Sequence, residues 1–219
     1  YHVLRKDRGI VIKQLKLIFP ELNNEKLERW TRECFRHFGQ MLFEFLSLPQ
    51  IINNQENLIR VENEAALMNA VNAGKGVILL GMHMGNWELI TAYAKRTGLF
   101  MTAATANFPD HRINQLMIRQ RKLVNMEIMP RGTGMSSRKL FRCLKKKNIL
   151  ILIIDQDTNV PSIWVPFFGI PAKTPVGAAV FSLKTGASVV SYNVIRENDG
   201  TFRLKFETLG MFDRSHPSM

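Results

Sequence analysis

The stretch Gly76-Val77-Ile78-Leu79-Leu80-Gly81-Met82-His83-Met84-Gly85-Asn86-Trp87-Glu88-Leu89 decides how this chain folds. Residues 76 to 82 form a short apolar run that reads as a buried strand. The character then changes: Gly85 permits a sharp turn, Asn86 is a good N-cap, and residues 86 to 97 suit a helix. A strand that passes through a tight turn into a helix is one half of a β/α unit. It delivers His83 to the carboxyl edge of a sheet, where open α/β folds keep their chemistry.

His83 and Glu88 are five positions apart. On one continuous helix they would point about 140° apart, so they can act together only if His83 sits in the turn and Glu88 in the first helical turn. Histidine is the side chain best suited to moving protons near neutral pH, and a nearby carboxylate can hold its ring in one tautomer. The same spacing also fits a buried histidine and a glutamate that merely favours the helix dipole.

Outward from this stretch the pattern repeats. A helix over 62 to 72 precedes it, and a strand over 99 to 105, a helix over 112 to 124, a short strand over 127 to 129 and a helix over 136 to 146 follow. A strand over 148 to 154, a helix over 174 to 185 and strands over 188 to 195 and 202 to 208 complete the series, with Asn198-Asp199-Gly200 as a hairpin turn between the last two. This alternation predicts an α/β fold with a mixed, mostly parallel sheet flanked by helices. Residues 1 to 50 read as an N-terminal helical extension, broken at Pro20, ahead of a single α/β domain over 51 to 219. The second helix of the extension carries a wide stripe with Trp30, Phe38 and Phe45, suited to the core or to a membrane interface.

At 46% hydrophobic content, 219 residues are enough for a substantial core. Cys34 and Cys143 match no metal or redox spacing and fit a reducing compartment. His2, His37, His111 and His216 lack partners at ligand spacing, so no metal site is expected. The longest apolar runs fall far short of the roughly 20 residues that span a bilayer. The chain opens on Tyr1-His2-Val3-Leu4-Arg5 and stops at Met219 shortly after the last strand, which suggests a piece of a longer protein with a further C-terminal helical region.

The net charge of +12 is concentrated: residues 111 to 150 hold eleven Lys or Arg against Glu127 alone. Such a block attracts anionic lipid headgroups, phosphorylated substrates, an acidic carrier protein or nucleic acid. No zinc spacing, RNP-type aromatic pattern or helix-turn-helix signal accompanies it, which argues against nucleic acid and for an anionic membrane surface or an acidic protein.

A second polar group stands after the strand over 148 to 154. Asp155-Gln156-Asp157 falls on the same sheet edge, and a loop continues through Trp164-Val165-Pro166-Phe167-Phe168-Gly169-Ile170-Pro171-Ala172-Lys173-Thr174. Alone, Asp155 reads as a loop cap and the phenylalanines as core. Beside His83 and Glu88 they make a site.

With these residues in view, the chain resembles the bacterial lipid A late acyltransferase family, within the glycerolipid-type acyltransferases that share a His-x4-Asp/Glu motif. The resemblance rests on His83-Met84-Gly85-Asn86-Trp87-Glu88, on Asp155-Gln156, on the segment over 165 to 174 and on Lys184-Thr185-Gly186-Ala187-Ser188-Val189-Val190, in the family's order. It implies transfer of a fatty acyl chain from an acyl carrier protein thioester to a hydroxyl of a lipid A precursor, at the cytoplasmic face of the inner membrane. It also implies an N-terminal membrane anchor and C-terminal helices outside this stretch of sequence, and no cofactor beyond the acyl donor.

In that reading His83 is the general base and Glu88 orients its ring and stabilises the imidazolium, with no acyl-enzyme. Backbone N–H groups near 85 to 87, or an Arg, would hold the oxyanion. Asn86, Trp87, Asp155, Gln156, Phe167, Phe168, Gly169, Lys173 and Thr174 are the expected substrate contacts, with Trp87, Phe167 and Phe168 along the acyl groove. Arg119 and Arg121 are candidates for phosphate or oxyanion contacts, or else an exposed basic helix. Two competitors remain: another glycolipid or lysophospholipid acyltransferase using acyl-CoA or the carrier, and a non-catalytic basic module that binds membranes.

Overall fold

The computed structural model describes residues 5–105, 111–124, 126–130 and 134–212. Helices α1 (Arg5–Ile18), α2 (Asn24–Leu46), α3 (Leu48–Asn53) and α4 (Gln55–Leu58) come first. They are followed by β1 (Ile59–Glu62), α5 (Glu64–Asn72), β2 (Val77–Gly81), α6 (Ile90–Thr97), β3 (Met101–Thr105), α7 (His111–Lys122), β4 (Met126–Pro130) and α8 (Gly134–Lys145). The chain then forms β5 (Ile149–Ile153), β6 (Ser162–Phe167), β7 (Ile170–Pro175), α9 (Gly177–Thr185), β8 (Ser188–Arg196) and β9 (Phe202–Gly210).

Among the described residues, seven strands form one sheet in the order β1-β9-β8-β2-β5-β3-β4. Every neighbouring pair runs parallel except the β8–β9 hairpin. The fold is therefore α/β with a mostly parallel mixed sheet. Its central strands are apolar on both faces, as a sheet covered on both sides requires. From β2 and β5, Val77, Leu79, Ile149 and Ile151 enter one core with Leu67, Tyr93 and Phe206, while Ile78 and Leu150 enter the opposite one with Leu140, Leu144 and Val189.

Two strand assignments depart from the sequence reading. Residues 59–62, partly read as the start of a helix, form edge strand β1, a four-residue piece too short to show period-2 alternation. The segment after Asp157, read as a loop, contains the antiparallel hairpin β6–β7, separate from the main sheet. Pro166 and Pro171 hid it, because proline argues against strand interiors; here they sit opposite each other in a two-stranded ribbon that has two free edges. Thr174 consequently belongs to β7, and helix α9 starts at Gly177.

The turn after β2 fits only one way. Gly85 has φ +61, and a Cβ there would stand 1.6 Å from the carbonyl oxygen of Val194. Its Asn86 neighbour donates its backbone N–H to that same oxygen at 3.0 Å, so the turn is pressed against β8. Gly85→Ala is accordingly expected to destabilise the protein by more than about 2 kcal/mol, because both the backbone conformation and the close approach are lost. Urea denaturation of the variant measures this; a shift within about 0.5 kcal/mol contradicts the packing.

Candidate functional site

Parallel pairing sets the site. β2 and β5 are hydrogen-bonded neighbours with Gly81 opposite Ile153, so the residues two positions beyond each strand end, His83 and Asp155, emerge side by side at the carboxyl edge. The Asp155 carboxylate takes both available donors: the His83 backbone N–H reaches Oδ2 at 2.7 Å and His83 Nδ1 reaches Oδ1 at 2.7 Å.

An ionised carboxylate only accepts, so Nδ1 carries the ring proton and Nε2 is left as the basic nitrogen. Partial burial raises the carboxyl pKa of Asp155, but the hydrogen bonds from the His83 ring and backbone outweigh it, and the group rests below the ordinary carboxylate value. The side chains of His83 and Asp155 are 26% and 33% exposed, so the pair opens to solvent.

The contact expected of Glu88 therefore belongs to Asp155. Glu88 lies in a 3-10 turn over Trp87–Leu89, is 7% exposed, and its backbone carbonyl accepts from Thr91 Oγ1 at 2.6 Å. Trp87 packs its ring edge-on to His83, with centroids 4.6 Å apart.

Asn86 stands at the N-cap position of this 3-10 turn, as its residue type predicts, but its side chain makes no capping hydrogen bond. It is fully buried, and its Nδ2 donates to Glu44 Oε2 at 2.7 Å. The same carboxylate accepts from Arg196 Nε at 2.6 Å and Nη2 at 2.7 Å. Helix α2 thus holds the turn from one side and β8 from the other, and His37 of α2 adds a contact between Nε2 and the Gly85 carbonyl at 3.1 Å. Glu44, Arg196 and His37 were invisible in sequence, since each lies at least 42 residues from its partner. Because the Asn86 backbone N–H is already taken by Val194, it is not free as an oxyanion donor.

The remaining expected residues divide. Gln156 lies in the exposed bend beside Asp155. Lys173 pairs with Asp157 at 3.1 Å, which ties β7 to that bend, and Thr174 Oγ1 donates to the Ala172 carbonyl at 3.3 Å. Phe168 and Gly169, with φ 51 and 74, form the hairpin's two-residue turn. Phe167 and Phe168 are exposed there and stack edge-on against each other, and Phe168 meets Phe19 rather than His83. Aromatic contacts also run from them toward the site along α2, where Phe19 touches Trp30 and Phe38 touches Trp87. Arg119 is exposed on α7, and the side chain of Arg121 lies outside the described residues.

Trp87, Phe167 and Phe168 also do not line the main apolar cavity. That cavity, about 770 Å³, lies between α8, α9, the end of β5 and the hairpin base, and is walled by Leu140, Phe141, Leu152, Ile154, Val180 and Phe181. Its size suits a small-molecule or acyl ligand. It reaches Ile154, next in sequence to Asp155. Among the described residues no group of three His, Cys, Asp or Glu side chains is arranged to hold a metal. A solvent-open imidazole with one tautomer fixed by a carboxylate, beside an apolar cavity, can activate a hydroxyl for attack on an acyl carbonyl.

The depressed Asp155 pKa sets a pH test. Its contribution to stability is present above the unfolded-state value, about 3.9, and is lost as pH falls through the lower folded-state value. The stability gap between the protein and Asp155→Asn, followed by urea denaturation, is expected to narrow as pH falls below about 4; a gap that widens as pH falls contradicts the assignment.

Residues 1–210 match the family model of the bacterial lipid A biosynthesis acyltransferase, and the chain belongs to that family. It is 30% identical over 163 residues to a phosphatidylinositol mannoside acyltransferase of Mycobacterium tuberculosis, covering 70% of this chain and 50% of that protein. It is 27% identical over 203 residues to the lipid A biosynthesis palmitoleoyltransferase of Escherichia coli, covering 90% of this chain and 64% of that protein. The chain thus spans about half to two thirds of the length of these relatives.

Proposed function

From membership of that family we propose that this chain carries the catalytic site of an acyltransferase that moves a fatty acyl chain from an acyl carrier protein thioester to a hydroxyl of a lipid A precursor. The observation that carries the reading is the His83–Asp155 pair at the sheet edge next to the apolar cavity. His83 Nε2 takes the proton from the acceptor hydroxyl as its oxygen bonds to the thioester carbonyl carbon. The tetrahedral intermediate then collapses, the C–S bond breaks, and the thiolate leaves with the proton from the imidazolium. The products are an ester and a free thiol, and the thioester's own activation makes a protein nucleophile unnecessary.

Asp155 fixes the ring and favours the imidazolium. Glu88, buried one residue from the Trp87 ring, keeps its place in the site through the family's His-x4-Glu spacing and supplies negative charge to the same cation. The acyl chain occupies the cavity rather than the Phe167 and Phe168 surface. Phosphates of the acceptor meet the basic residues around Arg119.

The exposed aromatics then serve the membrane. Phe38, Leu42 and Phe43 of α2 and Ile163, Trp164, Phe167 and Phe168 of the hairpin face outward, Trp164 and Phe43 about 70% exposed, and no charged residue occurs from 162 to 172. Aromatic and aliphatic side chains flanked by the cations of α1 and α2 suit an anionic bilayer interface, in this reading the cytoplasmic face of the inner membrane. Among the described residues no helix is long and apolar enough to cross a membrane. Replacing Trp164, Phe167 and Phe168 together by Ser is expected to lower co-sedimentation with anionic phospholipid vesicles at least fivefold; unchanged co-sedimentation refutes this orientation.

A second acceptor class has support from the likeness to phosphatidylinositol mannoside acyltransferases: a mannosylated glycolipid, with acyl-CoA or the carrier as donor. Mass spectrometry of products from lipid A precursor and from phosphatidylinositol mannoside separates the two. In either case His83→Ala is expected to lower kcat by about 10³-fold and Asp155→Asn by about 10²-fold with KM little changed. Near-normal turnover in both variants overturns the mechanism.

A further inference from the structure

Helix α8 and the turn after it expose Arg138, Lys139, Arg142, Lys145, Lys146 and Lys147, while Leu140, Cys143 and Leu144 are buried. A cationic helix face is ordinarily solvated and moderated by its own carboxylates. Helix α2 does this: Arg32 and Arg36 pair with Glu28 and Glu33 one turn away. No acidic residue occurs from 128 to 154, so α8 has no local carboxylate. Among the described residues none of its six cations forms an ion pair; Lys145 lies over the Phe141 ring at 5.6 Å.

Arg138, Arg142 and Lys145 also line the apolar cavity, together with Lys184 of α9. Thr158 Oγ1, buried and without a hydrogen-bond partner, lines it too. The cationic face is thus continuous with the place where an acyl chain would lie. It spans roughly 14 Å of helix.

Resting on the acyl transfer proposed above, we propose that this face of α8, with Lys145 to Lys147, is the docking surface for the acidic carrier that presents the acyl thioester. The chemistry favours an acidic protein over a bilayer. Membrane-binding helices combine cations with apolar anchors, and the described side chains of α8 expose no large apolar group. That feature belongs to α2 and the β6–β7 hairpin, whose tip does not line the cavity. Nor does any exposed aromatic interleave the cations, as single-stranded nucleic acid would need.

The test compares two donors in the full-length protein: acyl carrier protein thioester and acyl-pantetheine, which lacks the carrier. The variant Lys139→Glu/Lys146→Glu/Lys147→Glu changes cations that do not line the cavity. KM for the carrier thioester is expected to rise at least tenfold, with turnover of acyl-pantetheine within twofold of the parent. Raising the salt to about 0.5 M is expected to weaken carrier use by the parent in the same way. The corresponding triple Ala variant guards against misfolding and is expected to raise the same KM about threefold. An unchanged KM for the carrier thioester overturns the docking surface and leaves the acyltransferase reading intact. So does equal loss with both donors, or loss of binding to anionic vesicles with carrier use unchanged. A parent protein inactive with both donors overturns the acyltransferase reading itself, and the docking surface falls with it.

Discussion

The candidate site depends on one carboxylate. Asp155 accepts from both the backbone and the ring of His83, so it joins the ends of two neighbouring strands and selects the imidazole tautomer at once. A single hydrogen bond to a side chain leaves a loop residue free to rotate. Two bonds to the same residue, one of them from the main chain, fix the loop as well as the ring. The position costs the protein little design, because parallel pairing of Gly81 with Ile153 already brings the two positions together.

Behind this pair stands a second constraint of the same kind. Glu44 gathers Arg196 and the buried amide of Asn86, so α2, the turn and β8 meet on one carboxylate. A buried amide is costly unless it is bonded, and the bond it makes ties the turn to a helix that also bears the outward aromatic surface. Gly85 completes the arrangement by letting the turn lie against the Val194 carbonyl. The N-terminal helices are thereby part of what shapes the site, even though they contribute nothing to the sheet.

How much of this was legible follows the range of each interaction. The alternation of apolar runs and helical stretches reveals the sheet and places His83 and Asp155 on one edge, because strand and helix periods are local. The partner of His83 was read as Glu88, five positions away, when the partner is Asp155, 72 positions away. Spacing along the chain has no means of ranking the two, since that requires knowing that β2 and β5 are neighbours. Asn86 was read in part for a related reason: it takes the N-cap position its residue type suits, but its side chain bonds Glu44 instead of the turn. The hairpin over 162–175 was hidden by its prolines, and Phe168 adopts φ 51 where Gly or Asn is usual. The cationic face of α8 was plain in the composition, but its continuity with the cavity required the fold.

The central claim is that Asp155 holds His83 with its proton on Nδ1. Nitrogen-15 NMR of selectively labelled histidine, assigned with His83→Gln as the reference, reads this directly. The account predicts that at pH above the imidazole titration Nδ1 is protonated and Nε2 is not, and that Asp155→Asn abolishes the preference while Glu88→Gln leaves it. A proton on Nε2 in the parent protein, or a tautomer that follows Glu88 instead of Asp155, contradicts it.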